Sequence, residues 1–513
     1  MKRTFAIVLT LTLAIGTFAG CATTPAPSQS AAASQQPASQ QPASTAPPTA
    51  SASQSVAPSA SASPTMERAN SISLTLTYAD SLVAQNIESA FKDFFDTYKQ
   101  KTGTTVNIID LSFNDYRTWL TTQQAAGTMP EVYSVMLSWA WDDYAKGQNV
   151  DLTNYLDQES PYNPGQPWKD TFDPSLFAQT QDPSSKKYVT VMQQLVAVRI
   201  LYNKDIFNKA GITTEPQTWK DFIDDCQKIK AAGSIPFAFA MQNGAQYASW
   251  FLTTIFGQLD QSLRDKMDVD GNGIVSKNEL AKATDEGLID YSKDPFKTGF
   301  ELFKDFSQYW NTDYNAVDAA SAQQLWLTGS AAMYAANSSD VLALDQMQGR
   351  DFDYGSFPLP TITTDTSPLA SGKVTMLGGM ANESWAISST TKGAALNSAV
   401  DLLRYLTSQD FVNNVSNKLL WMPVIKGAQV PDKMQGFIKR DYEDIRRANY
   451  TGPATLSDFS SYLTMSLQLY LTGNTSFDKF ASDLNTEWNK DMTTDMQSAG
   501  WNKDNNYGIT PAN

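Results

Sequence analysis

The chain carries 513 residues, a formal net charge of −15 and no histidine. Without imidazole, His-based triads, His zinc ligands and His general bases are excluded. The acidic balance argues against nucleic acid or an anionic membrane surface as partner.

The start reads as a leader. Lys2 and Arg3 precede an apolar run over 5–15, and small residues lead to Cys21. The run is too short to span a membrane, so 1–20 is expected to be a signal peptide. Phe18-Ala19-Gly20-Cys21 resembles a lipobox, with Phe where Leu is commoner. Cys21 is therefore expected to carry lipid, the only membrane attachment. Cys226 is then left alone, so no disulfide is expected; it reads as a small buried apolar residue in an amphipathic helix. The segment 21–68 is expected to be a tether. Its bulk is Ala, Ser, Pro, Gln and Thr, with Ser-Gln-Gln-Pro-Ala repeated. Such composition cannot offset its ordering entropy, and about 45 residues of coil reach roughly 35–40 Å.

From 69 onward the chain is longer than a single core usually serves, so two lobes are expected. Residues 72–78 alternate apolar and polar, as a half-buried strand does. A helix is expected over 86–101, with Ile87, Phe91, Phe94, Phe95 and Tyr98 inward. A second strand follows at 106–111, a helix at 115–126 stopped by Gly127, and a third strand opening at Met129-Pro130-Glu131-Val132. This rhythm predicts a parallel sheet. Ligands of such sheets bind beyond the carboxyl ends of the strands. Asp80 follows the first strand, and Trp139, Trp141 and Asp142 follow the third. Indole faces stack on sugar C–H faces and carboxylates accept hydroxyls; the alternative is that one Trp belongs to the core.

Residues 188–222 form the central stretch: a β-branched strand, a short helix, Gly211 as stop, then Thr218 as N-cap with Asp221 answering it. The sequence LYNKDIFNKAGI followed by TWKDF resembles the mid-chain signature of family 1 extracellular solute-binding proteins of carbohydrate ABC importers, the maltose-binding-protein type. The resemblance implies an α/β, two-lobe, type II periplasmic-binding-protein-like fold with hinge-crossing segments. It puts lobe one at 69–195 and 358–415, and lobe two at 196–357 and 416–513. It implies further cleft residues: Gln193 and Gln194 before the crossing, Trp250, the polar group Asn337, Ser338 and Asp340 where relatives often have a Trp, then Glu383, Trp385 and Trp421. At 338–339 the alternative is a helix cap; for Trp250 and Trp385 it is packing.

One motif carries its own chemistry. Residues 268–279 match the twelve-position EF-hand loop. Asp268, Asp270 and Asn272 supply oxygens, Gly273 the sharp turn, Ile274 a carbonyl, Ser276 a water-holding hydroxyl and Glu279 a closing bidentate carboxylate. The helical flanks extend it to 259–287. A single loop without a second copy is expected to hold structural Ca2+ within lobe two, distant from the ligand.

The expected function is capture of an oligosaccharide between the lobes and delivery to the transmembrane permease subunits of an ABC importer. The protein would be a lipid-anchored monomer on the extracellular face of a Gram-positive-like membrane, and not an enzyme. The alternatives are a cell-surface glycoside hydrolase using paired carboxylates and a carbohydrate-binding adhesin.

Overall fold

The computed structural model describes residues 67–509, except 79–80, 183, 243–244, 272, 348, 377, 445–447 and 452–456. The leader, Cys21, most of the tether, Asp80 and Asn272 lie outside the described residues. No described helix is long and apolar enough to cross a membrane.

Lobe one begins as expected. Strand β1 (Ser71–Tyr78) lies parallel between β2 (Thr105–Ser112) and β3 (Val132–Met136). Its alternation buries Ile72, Leu74 and Leu76. Helix α1 (Ser81–Thr102) lays Ile87, Phe91, Phe94, Phe95 and Tyr98 on this sheet, all buried. Helix α2 (Phe113–Ala126) ends at Gly127, whose φ of 67° is the left-handed conformation that glycine adopts without penalty. Helix α3 (Leu137–Ala145) follows β3 directly. A small hairpin, β4 (Glu159–Ser160) with β5 (Asn163–Pro167), closes this part.

The central stretch forms β6 (Val191–Asn203), thirteen residues long. Its first half pairs antiparallel with β11 (Gly378–Ile387), which returns the chain to β3. Its second half pairs with β8 (Ala331–Asn337) and β9 (Tyr354–Phe357), and β7 (Ile235–Ala238) completes lobe two beside β8. One eight-stranded sheet, ordered β2-β1-β3-β11-β6-β8-β7 with β9 also on β6, therefore runs through both lobes. A separate pair, β10 (Val374–Thr375) with β12 (Glu443–Asp444), packs on the helix Ala245–Leu259. That approach requires Gly257, where a Cβ would stand 2.0 Å from Thr375 Oγ1.

Lobe two has an aromatic core. Phe239 stacks on Trp310 at 3.7 Å between centroids, Phe306 meets Trp310 edge-on, and Phe237 meets Phe251 and Phe306 edge-on beside them. Such pairs add about 0.5–1.5 kcal/mol each beyond area burial. Helix Trp219–Ala231 begins with the predicted reciprocal cap: Asp221 N donates to Thr218 Oγ1 at 3.1 Å, and Thr218 N to Asp221 Oδ2 at 3.0 Å. Cys226 is fully buried there, which pushes its thiol well above the ordinary range, as suits a packing residue.

The chain changes lobe at places other than those expected. Residues 358–376, assigned to lobe one by resemblance, bond to lobe two: Ile362 N donates to Gln258 Oε1 at 2.6 Å and Ser371 N to Gln258 O at 2.9 Å. Residues 416–426, assigned to lobe two, stay with lobe one: Leu195 N donates to Met422 O and Asp173 N to Val424 O, each at 3.1 Å. The return to lobe one thus comes at β11. Crossings are fixed by such long-range bonds, which local sequence pattern does not encode.

Arg199 of β6 anchors the last crossing. Buried beside Glu443 at 2.9 Å, it also donates to the carbonyls of Gly436, Phe437 and Ile438.

Candidate functional site

The strand that crosses between lobes positions the polar groups. Side chains alternate along it, so Gln193 and Gln194 point to opposite faces. Gln193 Oε1 accepts from Ser134 Oγ at 3.1 Å, joining a lobe-one network in which Ser134 N donates to Thr75 Oγ1 and Tyr116 O–H to Ser134 O. Gln194 Nε2 donates to Glu383 Oε2, while its buried Oε1 has no hydrogen-bond partner. Glu383 faces Met136, at the carboxyl end of β3, and Gln194 in the sheet register. Burial raises its carboxyl above the ordinary range; the Gln194 donor opposes this and the Asp340 charge adds to it.

The polar group after β8 meets this pair from lobe two. Ser338 is buried and ties the crossing: its Oγ accepts from Ala197 N at 3.2 Å and donates to Leu195 O at 3.4 Å. Asn337 caps the short turn Ser338–Asp340, with Asp340 answering its backbone N–H at 3.3 Å. The cap is Asn337, one residue earlier than the alternative reading placed it. The charge of Asp340 also acts on Tyr247 and Tyr334, two buried phenols hydrogen-bonded to each other. Trp250 meets Tyr247 edge-on at 5.1 Å and lines a cavity of about 30 Å³ beside Arg199 and Glu443. Gln194, Glu383, Ser338 and Asp340 are thus brought together, and Trp250 joins through Tyr247. Tyr247 and Tyr334 were not legible as site residues: each reads as a core aromatic, and their contact spans two elements far apart in the chain.

The other tryptophans are placed differently. Trp385 is 1% exposed and Trp421 6%, and both belong to the main apolar core. Trp421 lies 5.8 Å from the Phe91 ring of α1. The expectation that they face the cleft is corrected: strand alternation turns Trp385 inward, and α1 covers Trp421. Trp139 and Trp141 stay half-buried on α3. The Arg117 guanidinium stands 5.2 Å over the Trp139 ring while bonded twice to Asp143 at 2.8 Å, and Trp141 Nε1 donates to Thr180 O at 3.4 Å. Asp142 is exposed.

At the other end of β6 lies a depression of about 530 Å³ lined by Lys204, Asp345, Arg350, Asp353 and Lys433. With Arg440, Glu215 and Asp432 also in the lining, its four cations balance four carboxylates, among them the pair Lys204–Asp353 at 2.7 Å and Asp345 shared by Arg350 at 3.3 Å and Lys433.

The acidic loop has converged oxygens. One carboxylate oxygen each from Asp268, Asp270 and Glu279 lies within 4.8 Å of the others. Gly273 takes φ 85°, the turn only glycine makes readily. Glu279 is 1% exposed and closes the loop on itself: Oε1 accepts from Val269 N at 2.7 Å and Asp270 N at 3.1 Å, and Oε2 from Ser276 N at 2.8 Å. Burial raises this carboxyl too, against the pull of the Ser276 donors. Ser276 caps the helix Lys277–Asp285, and Ile274 is described within the loop. The loop touches lobe one, where Lys186 Nζ stands 3.5 Å from Asp270 Oδ2.

Comparison with known proteins fits this geometry. The family described as bacterial extracellular solute-binding protein matches residues 84–411. The chain is similar to the sn-glycerol-3-phosphate-binding periplasmic protein UgpB of Yersinia enterocolitica, 23% identical over 253 residues, 47% of this chain and 50% of that protein. It thus spans about half the length of the curated relatives it matches. Among solved structures it resembles a chitin oligosaccharide binding protein, with TM-score 0.63, 17% identity, and 83% and 100% of the two chains covered. It also resembles RafE in complex with raffinose, with TM-score 0.60, 19% identity, and 82% and 99% covered. These likenesses show the two-lobe type II fold, and the family match extends over both lobes. The chain belongs to the bacterial extracellular solute-binding proteins.

Proposed function

We propose that this chain captures a neutral oligosaccharide between its lobes and delivers it unaltered to the permease of an ABC importer. The observation that carries the reading is the polar cluster at the crossing, where Gln194 of β6 bonds Glu383 of β11 and the charge of Asp340, after β8, acts on Glu383. The charged groups of that cluster are acids. Carboxylates and amides bond to hydroxyls, and the carboxylates repel phosphate, so the chemistry favours a polyol over the glycerol phosphate named for the Yersinia relative. Chitin oligosaccharide and raffinose, the ligands named for the structural neighbours, fit the same class. The protein would act as a monomer, held outside the membrane by lipid on Cys21 and the tether 21–68.

A screen of the lipid-free chain by thermal shift and calorimetry tests this, with raffinose, maltose, chitin oligosaccharides and sn-glycerol 3-phosphate as probes. Saturable binding of a neutral saccharide without products is expected. Response to glycerol phosphate alone would overturn the substrate class, and hydrolysis products would overturn the binding role in favour of a glycosidase.

Calcium belongs to the same reading. The residues fit an oxygen-ligated divalent cation: Asp268, Asp270 and Glu279 converge, and Asn272, Ile274 and Ser276 occupy the remaining loop positions. Bound there, Ca2+ would staple the loop by neutralising its carboxylates. Glu279→Gln is expected to abolish calcium-dependent thermal stabilisation; an unchanged melting temperature of the parent on chelation would overturn the site.

A further inference from the structure

A lobe-one loop reaches the acidic loop of lobe two. Residues 181–188 hang from lobe one: Gln181 bridges Tyr188, and Leu152 N donates to Tyr188 O at 2.8 Å. At the tip Lys186 takes φ 57°, a conformation uncommon outside glycine, Asn and Asp. Its ammonium, 43% exposed, reaches the largely buried Asp270 carboxylate at 3.5 Å. Lys277, at the start of the helix after the loop, is paired within lobe two with Asp495 at 2.8 Å, and its charge also acts on Asp142 of α3. One lobe-one ammonium thus meets one lobe-two carboxylate.

We propose that the loop 268–279 is a latch between the lobes, in which Lys186 of lobe one and a divalent cation compete for the carboxylate of Asp270. The competition rests on the calcium reading above. In the metal-free chain, one of three converged carboxylates, that of Asp270, faces the Lys186 ammonium. Bound calcium would cancel two of those three charges, so the attraction that holds Lys186 would fall. Linkage makes the effect mutual: the arrangement that brings Lys186 to Asp270 binds calcium less tightly by the same factor that calcium weakens the pair. Calcium then does more than hold the loop; it sets how readily the lobes stay together.

Calorimetric calcium titration of the full lipid-free chain at low ionic strength, where exposed charges are least screened, tests this without any sugar. Lys186→Gln is expected to bind calcium about two- to fivefold more tightly than the parent, the range an exposed pair supports. Lys187→Gln removes the same charge one residue away, from an ammonium paired with Asp151 at 3.1 Å within lobe one, and is expected to match the parent. Equal affinities in all three proteins overturn the latch and leave the metal site standing. Equal tightening in both variants overturns it as a general charge effect. No calcium binding in the parent or either variant overturns the metal site and the competition with it. Because Lys186 belongs to the opposite lobe, an effect confined to it is readable only if the lobes meet there.

Discussion

Two ion pairs join segments at the boundary between the lobes, and they differ in their access to water. Arg199 and Glu443 lie 2.9 Å apart with both side chains 1% exposed, and Arg199 is further bonded to four carbonyls. Lys186 and Asp270 lie 3.5 Å apart, with the lysine half in solvent. Break the first and a charge is left in a low dielectric with nothing to hydrate it. Break the second and water replaces the partner at little cost. The same two charges therefore make a permanent axle in one place and a releasable catch in the other.

The comparison breaks or sharpens under substitution. Glu443→Ala has the largest expected effect, a loss of about 3–5 kcal/mol in denaturant-induced unfolding, because Arg199 is stranded. A loss below about 1 kcal/mol would place this pair in the exposed class and erase the distinction.

Asp260 comes next and adds pH. It is buried, paired with Arg264 at 2.9 Å and with the Tyr450 hydroxyl at 2.8 Å. Burial still wins over both partners and pushes its carboxyl up to about 6. The folded state thus binds this proton more tightly than the unfolded chain. Its stabilising contribution is full below about pH 4 and lost as the pH rises through about 6, a change of about 3 kcal/mol. The stability difference between the parent and Asp260→Asn, followed from pH 4 to 7, should carry that slope; a flat difference would mean that Arg264 holds the carboxylate ionised throughout.

Smallest is Thr218→Ala, an exposed cap, expected to cost about 1 kcal/mol. A loss as large as that of Glu443→Ala would show that exposure does not rank these polar contacts.

Much of this fold was legible because its signals are local. The alternation of Ile72, Leu74 and Leu76, the Gly127 stop, and the Thr218–Asp221 cap each report on a few neighbouring residues, and each is found where expected. The crossing at β6 was legible from its signature, and Gln194 and Glu383, both expected at the cleft, are found bonded to each other beside it. What failed depends on distance along the chain. An indole reads alike whether it lines a groove or fills a core, so Trp385 and Trp421 were misplaced. Segments 358–376 and 416–426 choose a lobe through bonds to Gln258 and Leu195, which no window of sequence contains. Lys186 looks like any loop lysine until the fold sets it against Asp270.

The thirteen residues of β6 give both halves a common backbone, paired to β11 on one side of the passage and to β8 and β9 on the other. Opening cannot then be a parting of two surfaces, because no surface there is free to part. It has to be a bend within a continuous ribbon, with the ladders on either side carried along intact. A bend of that kind can leave the ladders intact, so contacts at the rim, such as Lys186 with Asp270, bear on which aperture is held.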